Sequence, residues 1–306
     1  MRPFLRLTSA SVAGLGAALI VGGVGAFAYT SGSIGYDISY LDCGTAYPST
    51  VRFGTSPPVK VPAAPRVGRA EAPVTLPQSP LRTTARLVPP AVKTASPRAS
   101  FGIVGVDSGY PFMSALHPGN PCLADEYSHT PMAGLYINTG YDPSFVTNHT
   151  TADCTNQSAG VAGTASQKAA WAVGCSEAQG DYTYASSQGI TSPVGWWLDV
   201  ETANSWCGQS GTNCTDLTLN QYTLQGIIDT LTHIGAVPIG IYSNNYLWSA
   251  IVGTNSVQGA ATDWYASGTS TAHSAAAYCT SSYSFSGAPV SLVQFITGSV
   301  DRDYAC

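Results

Sequence analysis

The sequence has little charge. Charged residues make up 9% of its 306 residues, whereas soluble domains usually carry about a quarter. From Gly102 onward the only basic residues are Lys168 and Arg302, against fourteen acids. This shortage of cations argues against nucleic-acid binding by that part of the chain. Its surface must be covered mainly by uncharged polar and aromatic side chains.

The sequence also lacks the patterns of a metal site. No cysteine pair has the two-residue spacing of a zinc site, and the five histidines are scattered. We therefore expect neither metal nor cofactor. The eight cysteines are an even number, which in an exported chain predicts four disulfides. Among the many possible pairings, proximity along the chain favours Cys207–Cys214, Cys154–Cys175 and Cys279–Cys306, leaving Cys43–Cys122.

A long apolar run occurs at the N-terminus, over Leu7–Phe27. Arg2 and Arg6 precede it, and Ala26-Phe27-Ala28 has the small-x-small form that signal peptidase recognises. Residues 1–28 are therefore predicted to be a signal peptide, with an uncleaved membrane anchor as the alternative. Either way, we expect the rest of the chain to be secreted or to lie at the extracellular face.

Basic charge is concentrated in a proline-rich stretch, residues 49–100. Eight of the 12 lysines and arginines fall between Arg52 and Arg98, against the single acid Glu71, which gives a net charge of +7. Such a stretch predicts a disordered linker or insertion, because it cannot bury a core. Its charge predicts attraction to anionic wall polymers, and a passive spacer is the alternative.

This linker separates a first strand and loop in residues 29–48 from the remainder of the domain in residues 101–306. Long flexible insertions cost little in loop-closure entropy. We therefore interpret the stretch as an insertion within one domain. The alternative starts the domain at Phe101 and loses one strand.

Short apolar runs alternate with helical stretches along the rest of the chain. Helical spacing covers Gln167–Ser187 and Leu219–Ile234. Strands are predicted at Ile34–Ser39, Phe101–Asp107, Ala133–Asn138, Val194–Val200, Val237–Tyr242, Asp263–Ala266 and Val290–Phe295. This alternation favours a mainly parallel sheet. Seven or eight such strands predict a single, disulfide-stapled α/β domain of the TIM-type (β/α) barrel class.

Two carboxylates, Asp199 and Glu201, end one predicted strand. Residues i and i+2 of a strand point to the same face, and barrel active sites lie at the C-terminal ends of strands. Carboxylates held this close cannot both ionise freely, so one pKa should rise. A neutral acid beside an ionised one is what glycosidic cleavage requires. The alternative is a pair that only caps neighbouring backbone donors.

Other strand ends carry acids as well. Asp37 lies on the first strand, Asp107 ends the second, and Asp301 follows the last predicted one. First and last strands adjoin in a closed barrel, so we expect Asp37 and Asp301 to face Asp199 and Glu201 across the barrel mouth. An acidic mouth favours acid-catalysed hydrolysis of a neutral or cationic polymer over phosphate binding.

Four short motifs, in this order, resemble the family 25 glycoside hydrolases, the Chalaropsis-type lysozymes. They also resemble secreted actinobacterial lysozyme-like proteins. The motifs are Gly35-Tyr-Asp37-Ile-Ser39, Trp197-Leu-Asp199-Val-Glu201, Ile241-Tyr-Ser-Asn-Asn-Tyr-Leu-Trp248 and Gln294-Phe-Ile-Thr-Gly-Ser-Val-Asp301. The resemblance implies a peptidoglycan hydrolase that cuts the β-1,4 bond after N-acetylmuramic acid.

The resemblance also implies roles for individual residues. Glu201 would be the general acid, and Asp199 would assist the acetamido group or the charged intermediate. Asp37 and Asp301 would hold position or water. The expected substrate contacts are Tyr242, Trp264, Trp197, Asp107 and Gln294.

Three segments depart from the family pattern. No tryptophan precedes Gln294, Asp107-Ser-Gly109 stands in place of threonine-glutamate-glycine, and Tyr136-Ile137-Asn138 lacks a histidine-phenylalanine pair. Two other functions therefore stay open: a barrel that binds cell-wall glycan without cutting it, and a structural envelope protein anchored through the linker. The intact Asp199-x-Glu201 pair favours the hydrolase.

Overall fold

The computed structural model describes residues 27, 29–44, 47, 99–298 and 300–306. The predicted signal peptide, apart from Phe27, and nearly all of the predicted linker lie outside these described residues. Both therefore stay predictions. Within the described part of the chain, no helix is long and apolar enough to cross a membrane.

Eight strands close into one barrel, in the order of the chain. They are β1 (Ile34–Ile38), β2 (Gly102–Gly105), β3 (Ala133–Asn138), β4 (Trp196–Asp199), β5 (Ile239–Ser243), β6 (Thr262–Thr269), β7 (Val290–Thr297) and β8 (Val300–Ala305). Strands β1 to β7 run parallel to one another. Strand β8 is antiparallel to both β7 and β1. The α/β barrel prediction is confirmed, with a mixed sheet rather than an all-parallel one.

Strand β8 is the element that the sequence pattern missed. The expectation that Val290–Phe295 is the last strand was wrong, because β8 closes the barrel against β1, with Gly35 opposite Asp303. Its residues include Asp301, Arg302 and Asp303, so it has no apolar run. Both aspartates occupy positions of one strand face, and that face turns toward the barrel interior.

Helices surround the barrel. Among the described residues the α-helices are α1 (Leu123–His129), α2 (Phe145–Asn148), α3 (Ala152–Ser158), α4 (Ala165–Ser187), α5 (Leu217–His233), α6 (Asn245–Ile251) and α7 (Ala272–Ala276). Short 3₁₀ turns cover Tyr40–Asp42 and Ser281–Tyr283. The two helices predicted from spacing are α4 and α5. A capping box starts α4, since Thr164 Oγ1 accepts from the Gln167 N–H and the Gln167 side chain accepts from the Thr164 N–H.

Glycines let α4 and α5 pack closely. A Cβ on Gly174 would lie 1.9 Å from the Thr223 carbonyl oxygen, and one on Gly226 would lie 2.1 Å from that of Trp171. Any side chain at either position would push the two helices apart. This close contact holds the two long helices together on the outside of the barrel.

The barrel interior has its own core. On β4, Trp196 and Leu198 pack toward the helices, whereas Trp197 packs inside the barrel, as strand alternation requires. The N-terminal ends of the strands are closed by aromatic rings. Phe27 stacks on Trp197 at 4.2 Å between ring centroids, and Tyr29 stacks on Phe101 at 4.3 Å. The lower end of the barrel is therefore filled, and the upper, C-terminal end is where a site can form.

Four disulfides staple the domain, and all eight cysteines are paired. The pairs are Cys43–Cys122, Cys154–Cys175, Cys207–Cys214 and Cys279–Cys306. The pairing predicted from chain proximity is confirmed. The first bond ties the turn after β1 to the start of α1, and the last ties the C-terminal residue to the segment after α7.

Candidate active site

A pocket of about 380 Å³ lies at the C-terminal ends of the barrel strands. The four predicted acids meet in it, together with three of the predicted substrate contacts. These lining residues are Asp37, Asp199, Glu201, Asp301, Tyr242, Trp264 and Gln294. Among the described residues that line it there is no lysine, arginine or histidine. In the described part of the chain, no group of three or more histidine, cysteine, aspartate or glutamate side chains could hold a metal ion.

Asp199 ends β4, and Glu201 follows two residues later. Asp199 is 7% exposed, and its Oδ1 has no hydrogen-bond partner among the described residues. Its Oδ2 receives only a long contact from Asn204 Nδ2, at 3.5 Å. Burial, and then the charge of Glu201, raise the pKa of Asp199 well above its usual value. Burial, and then Asp301, raise the pKa of Glu201 as well. Both pKa values rise, where the sequence predicted a rise in one.

A hydrogen-bonded chain crosses the pocket floor from β5 to β1. The Tyr242 hydroxyl donates to Gln294 Oε1 at 2.7 Å, and Gln294 Nε2 donates to Asp37 Oδ2 at 3.1 Å. The two ends of the glutamine amide are thus both engaged, which fixes its orientation. Burial, followed by the charge of Asp301, raises the pKa of Asp37 to about 7. Asp37 therefore holds a proton through the acidic pH range.

Asp303 is a buried acid that the sequence reasoning did not select. It lies on β8 opposite Gly35 of β1 and Gln294 of β7, and it is fully buried. Burial, and then the charge of Asp37, raise its pKa well above the usual value. The signal was present in the sequence, because Asp301-Arg-Asp303 has the same i, i+2 spacing as Asp199-x-Glu201.

Two predicted substrate contacts do not line the pocket. Trp197 is 0% exposed, and its ring lies inside the barrel between Phe27 and Trp264. It shares an inward face with Asp199 but lies one layer deeper, so it cannot reach a ligand at the mouth. Asp107 is 2% exposed, and its carboxylate is engaged by donors of the pocket wall.

Tyr136 and Asn138 of β3 line the pocket, although the sequence analysis did not select them. The sequence marked this stretch only as a departure from the family pattern. Their alternation on β3 places both on the inward face. An inward polar residue at the C-terminal end of a barrel strand was the signal that could have found Asn138.

Comparison with known proteins adds a family assignment. The family model described as lysozyme-like protein 1 matches residues 119–287, more than half of the chain. No curated protein matches the sequence. Among solved structures, the modular autolysin LytC from Streptococcus pneumoniae, in complex with a synthetic peptidoglycan ligand, matches at TM-score 0.40 and 14% identity. That match covers 67% of this chain and 40% of the autolysin, so this chain spans less than half of that protein.

Two further structures show similar values. GHIP, a glycosyl hydrolase 25 of Streptococcus pneumoniae, matches at TM-score 0.40 and 16% identity, over 68% of this chain and 77% of its own. The muramidase from Acremonium alcalophilum matches at TM-score 0.41 and 14% identity, over 68% of this chain and 83% of its own.

The segment matched by the family model contains β3 to β6 and carries Asp199 and Glu201. Asp37 and Asp301 lie outside it, and the closed barrel brings them to the same pocket. The lysozyme-like family predicted from the four motifs is confirmed, and the chain belongs to the lysozyme-like protein 1 family.

Proposed function

We propose that the protein is a glycoside hydrolase that cleaves the β-1,4 bond after N-acetylmuramic acid in peptidoglycan. The observation that carries this proposal is the meeting of Asp37, Asp199, Glu201 and Asp301 in one pocket whose described lining has no basic side chain. Glycosidic cleavage needs a proton for the leaving oxygen and negative charge near the developing cation. Membership of a lysozyme-like family supports the choice of substrate.

Glu201 is the general acid in this proposal. It is less buried than Asp199, it lines the pocket, and its raised pKa keeps a proton available at mildly acidic pH. In the cleavage step, the Glu201 proton passes to the glycosidic oxygen as its bond to the anomeric carbon breaks. Ionisation of Glu201 as the pH rises removes this proton, so activity should be highest on the acidic side.

Asp199 is the residue that assists the reacting sugar. Its Oδ1 has no hydrogen-bond partner among the described residues, and it lies at the end of the same strand as the general acid. A carboxyl group held there can engage the acetamido group or stabilise positive charge at the anomeric carbon. Asp37 and Asp301 complete the acidic wall and position the substrate or the attacking water.

Location and wall binding belong to the same proposal. Four disulfides are characteristic of proteins that fold in an oxidising compartment, which supports a place outside the cytoplasm. The net positive charge of residues 49–100 supports retention on anionic wall polymers, an attraction that salt screens.

Digestion of purified peptidoglycan tests the proposed reaction. The wild-type protein should release N-acetylmuramic acid reducing ends, and Glu201→Gln should lower that rate by about 100- to 10,000-fold, the usual contribution of general acid catalysis. Glu126→Gln is the matched control. Glu126 is a buried glutamate of α1 whose pKa is raised to about 7, and it does not line the pocket.

Two results would count against the enzyme. If the wild-type protein binds peptidoglycan but releases no reducing ends across the acidic to neutral range, it is a glycan-binding or structural barrel. If Glu201→Gln and Glu126→Gln lose the same activity, Glu201 has no special role in proton transfer.

A further inference from the structure

Asn138 is held by two hydrogen bonds to a single carboxylate. Its backbone N–H donates to Asp107 Oδ2 and its side-chain Nδ2 donates to Asp107 Oδ1, each at 2.7 Å. The Gly109 N–H donates to the same Oδ1 at 2.8 Å. Asn138 and Gly109 both line the pocket, whereas Asp107 lies behind them. Asp107 therefore supports the pocket wall through these two residues.

The surroundings of Asp107 decide where negative charge resides. Helix α4 places Glu177 and Asp181 behind it, one turn apart and buried. Burial is the main cause that raises the pKa of each of these two acids well above its usual value, and the charge of Asp107 raises both further. Burial raises the pKa of Asp107 to about 6, and the N–H donors of Asn138 and Gly109 limit this rise because they stabilise the ionised form. Near neutral pH Asp107 is therefore ionised, whereas burial favours the protonated forms of its two neighbours on α4.

An ionised carboxylate only accepts hydrogen bonds, so the Asn138 group that faces it must be the NH₂ end of the amide. This leaves the carbonyl oxygen of Asn138 for the pocket side. A sugar hydroxyl can donate or accept, so it would bind either orientation of a free amide. An N–H of an acylamino group can only donate, and it alone requires an amide whose oxygen is fixed toward it.

We propose that Asn138 recognises the acylamino N–H of the sugar bound in the pocket through its Oδ1, and that Asp107 is the positioning residue that sets this orientation. The proposal rests on the proposed function for the sugar class. Asp107-Ser-Gly109 and Asn138 both lie where the sequence departs from the family pattern. The proposal gives these two segments a shared role, since hydrogen bonds join them.

Binding of a tetrasaccharide of N-acetylglucosamine tests the proposal. Measured by calorimetry near neutral pH in the Glu201→Gln protein, whose turnover is slow, Asn138→Ala should raise Kd by about 3- to 10-fold, which corresponds to one hydrogen bond. Asp107→Asn should have a similar effect, because the substituted amide would offer one acceptor oxygen where the carboxylate offers two, and the amide of Asn138 could turn over. The double variant should bind no more weakly than either single variant, because both changes remove one interaction.

Asp263→Asn is the matched control. Asp263 is a buried carboxylate that accepts from the Phe285 and Ser286 N–H groups at 2.9 and 3.2 Å, and it does not line the pocket. It should lose stability without losing affinity. If Asn138→Ala fails to fold, Asn138→Leu keeps the volume of the side chain and takes its place.

The possible outcomes separate this proposal from the proposed function. An unchanged Kd for the Asn138 variant overturns the recognition role, and additive losses in the double variant overturn the positioning role of Asp107. If the wild-type protein releases reducing ends but the tetrasaccharide does not bind, the hydrolase stands and this inference fails. If binding depends on Asn138 but no reducing ends are released, the inference stands and the hydrolase fails.

Discussion

The two ends of the barrel interior are built from the same strands and differ in a single layer of residues. On β4, Trp197 and Asp199 point to the same inward face. Below the pocket Trp197 packs in one apolar cluster with Phe101 and Leu292, and at the upper end Asp199 meets the other acids of the pocket. Two positions along one strand therefore separate the aromatic layer around Trp197 from the acidic pocket around Asp199.

The two ends contribute oppositely to stability. Burial of aromatic surface at the lower end is favourable. Burial of carboxyl groups at the upper end is unfavourable for their charged forms, and this appears as a raised pKa at Asp37, Asp199 and Glu201. The lower end holds the strands in place so that the upper end can keep acids in a geometry that they would not adopt unaided.

Truncation of Trp197 should give the largest loss of stability. Trp197→Ala would leave a cavity next to Trp264, and we expect the free energy of unfolding to fall by about 3–5 kcal/mol. Chemical denaturation with a fluorescence or circular dichroism readout measures it. Tyr246→Ala, at a residue that is 78% exposed, is the control and should change stability little. An average substitution lowers stability by about 1 kcal/mol, so a smaller loss for Trp197→Ala would show that the Trp197 ring contributes little to stability.

A substitution two residues later on the same strand, at Asp199, should lower activity and leave the protein folded. Asp199→Asn retains the shape of the side chain but cannot ionise as positive charge develops on the sugar, and we expect kcat on peptidoglycan to fall by about 100- to 1,000-fold. The melting temperature should stay the same or rise, because a buried acid is replaced by a neutral amide. A large fall in the melting temperature of this variant, alongside its loss of kcat, would show that Asp199 is needed for the fold as Trp197 is.

The buried acids predict that the protein is less stable at neutral pH than at acidic pH. Burial raises the pKa of Asp37 and Glu126 to about 7 and that of Asp263 to about 6. The folded protein binds these protons more tightly than the unfolded chain, so their contribution is complete near about pH 4 and is lost as the pH rises through about 7. Each pKa unit corresponds to about 1.4 kcal/mol.

Melting temperatures measure this effect. We expect Tm to fall by roughly 5–10 °C between about pH 5 and pH 8, the equivalent of about two such units in a domain of this size. Asp37→Asn should reduce the difference, because its amide cannot ionise. A Tm that rises over the same interval would contradict the raised pKa values of these buried acids.

The smallest expected effect concerns the hydrogen-bonded chain across the pocket floor. Tyr242→Phe removes the donor to Gln294 Oε1, and we expect kcat/KM to fall by about 3- to 10-fold, as for one lost hydrogen bond. Tyr278→Phe, at a residue outside the pocket lining, is the control. No change in either variant would mean that the Gln294 amide is held well enough by Asp37 alone.

The sequence predicted the elements that carry apolar runs and missed the one that does not. Strands β1 to β7 contain buried apolar residues in short runs, whereas β8 has two aspartates on its inward face and gave no strand pattern. Asp301 was nonetheless expected near Asp37, because a closed barrel makes its first and last strands neighbours. The four disulfides followed from chain proximity, since three of them close short intervals.

Depth within the barrel is what the sequence could not supply. Alternation tells which face a residue shares but not which layer it occupies, so Trp197 was expected beside the ligand although it lies below the pocket. For the same reason Asp107 was expected to contact the substrate, whereas it lies behind Asn138. For Asn138 the sequence offered only its position at a strand end, because the orientation of its amide depends on Asp107.

The Cys43–Cys122 bond spans 79 positions of the sequence and encloses the whole interval between Tyr47 and Ala99. A protease that cuts once within that interval would turn one polypeptide into two, and the bond would keep them as one molecule. Asp37 would then belong to a short light chain, and Asp199, Glu201 and Asp301 to a heavy chain, with the pocket shared between them. After such a cut, the disulfide and the pairing of β1 with β2 and β8 would both keep Asp37 at the pocket.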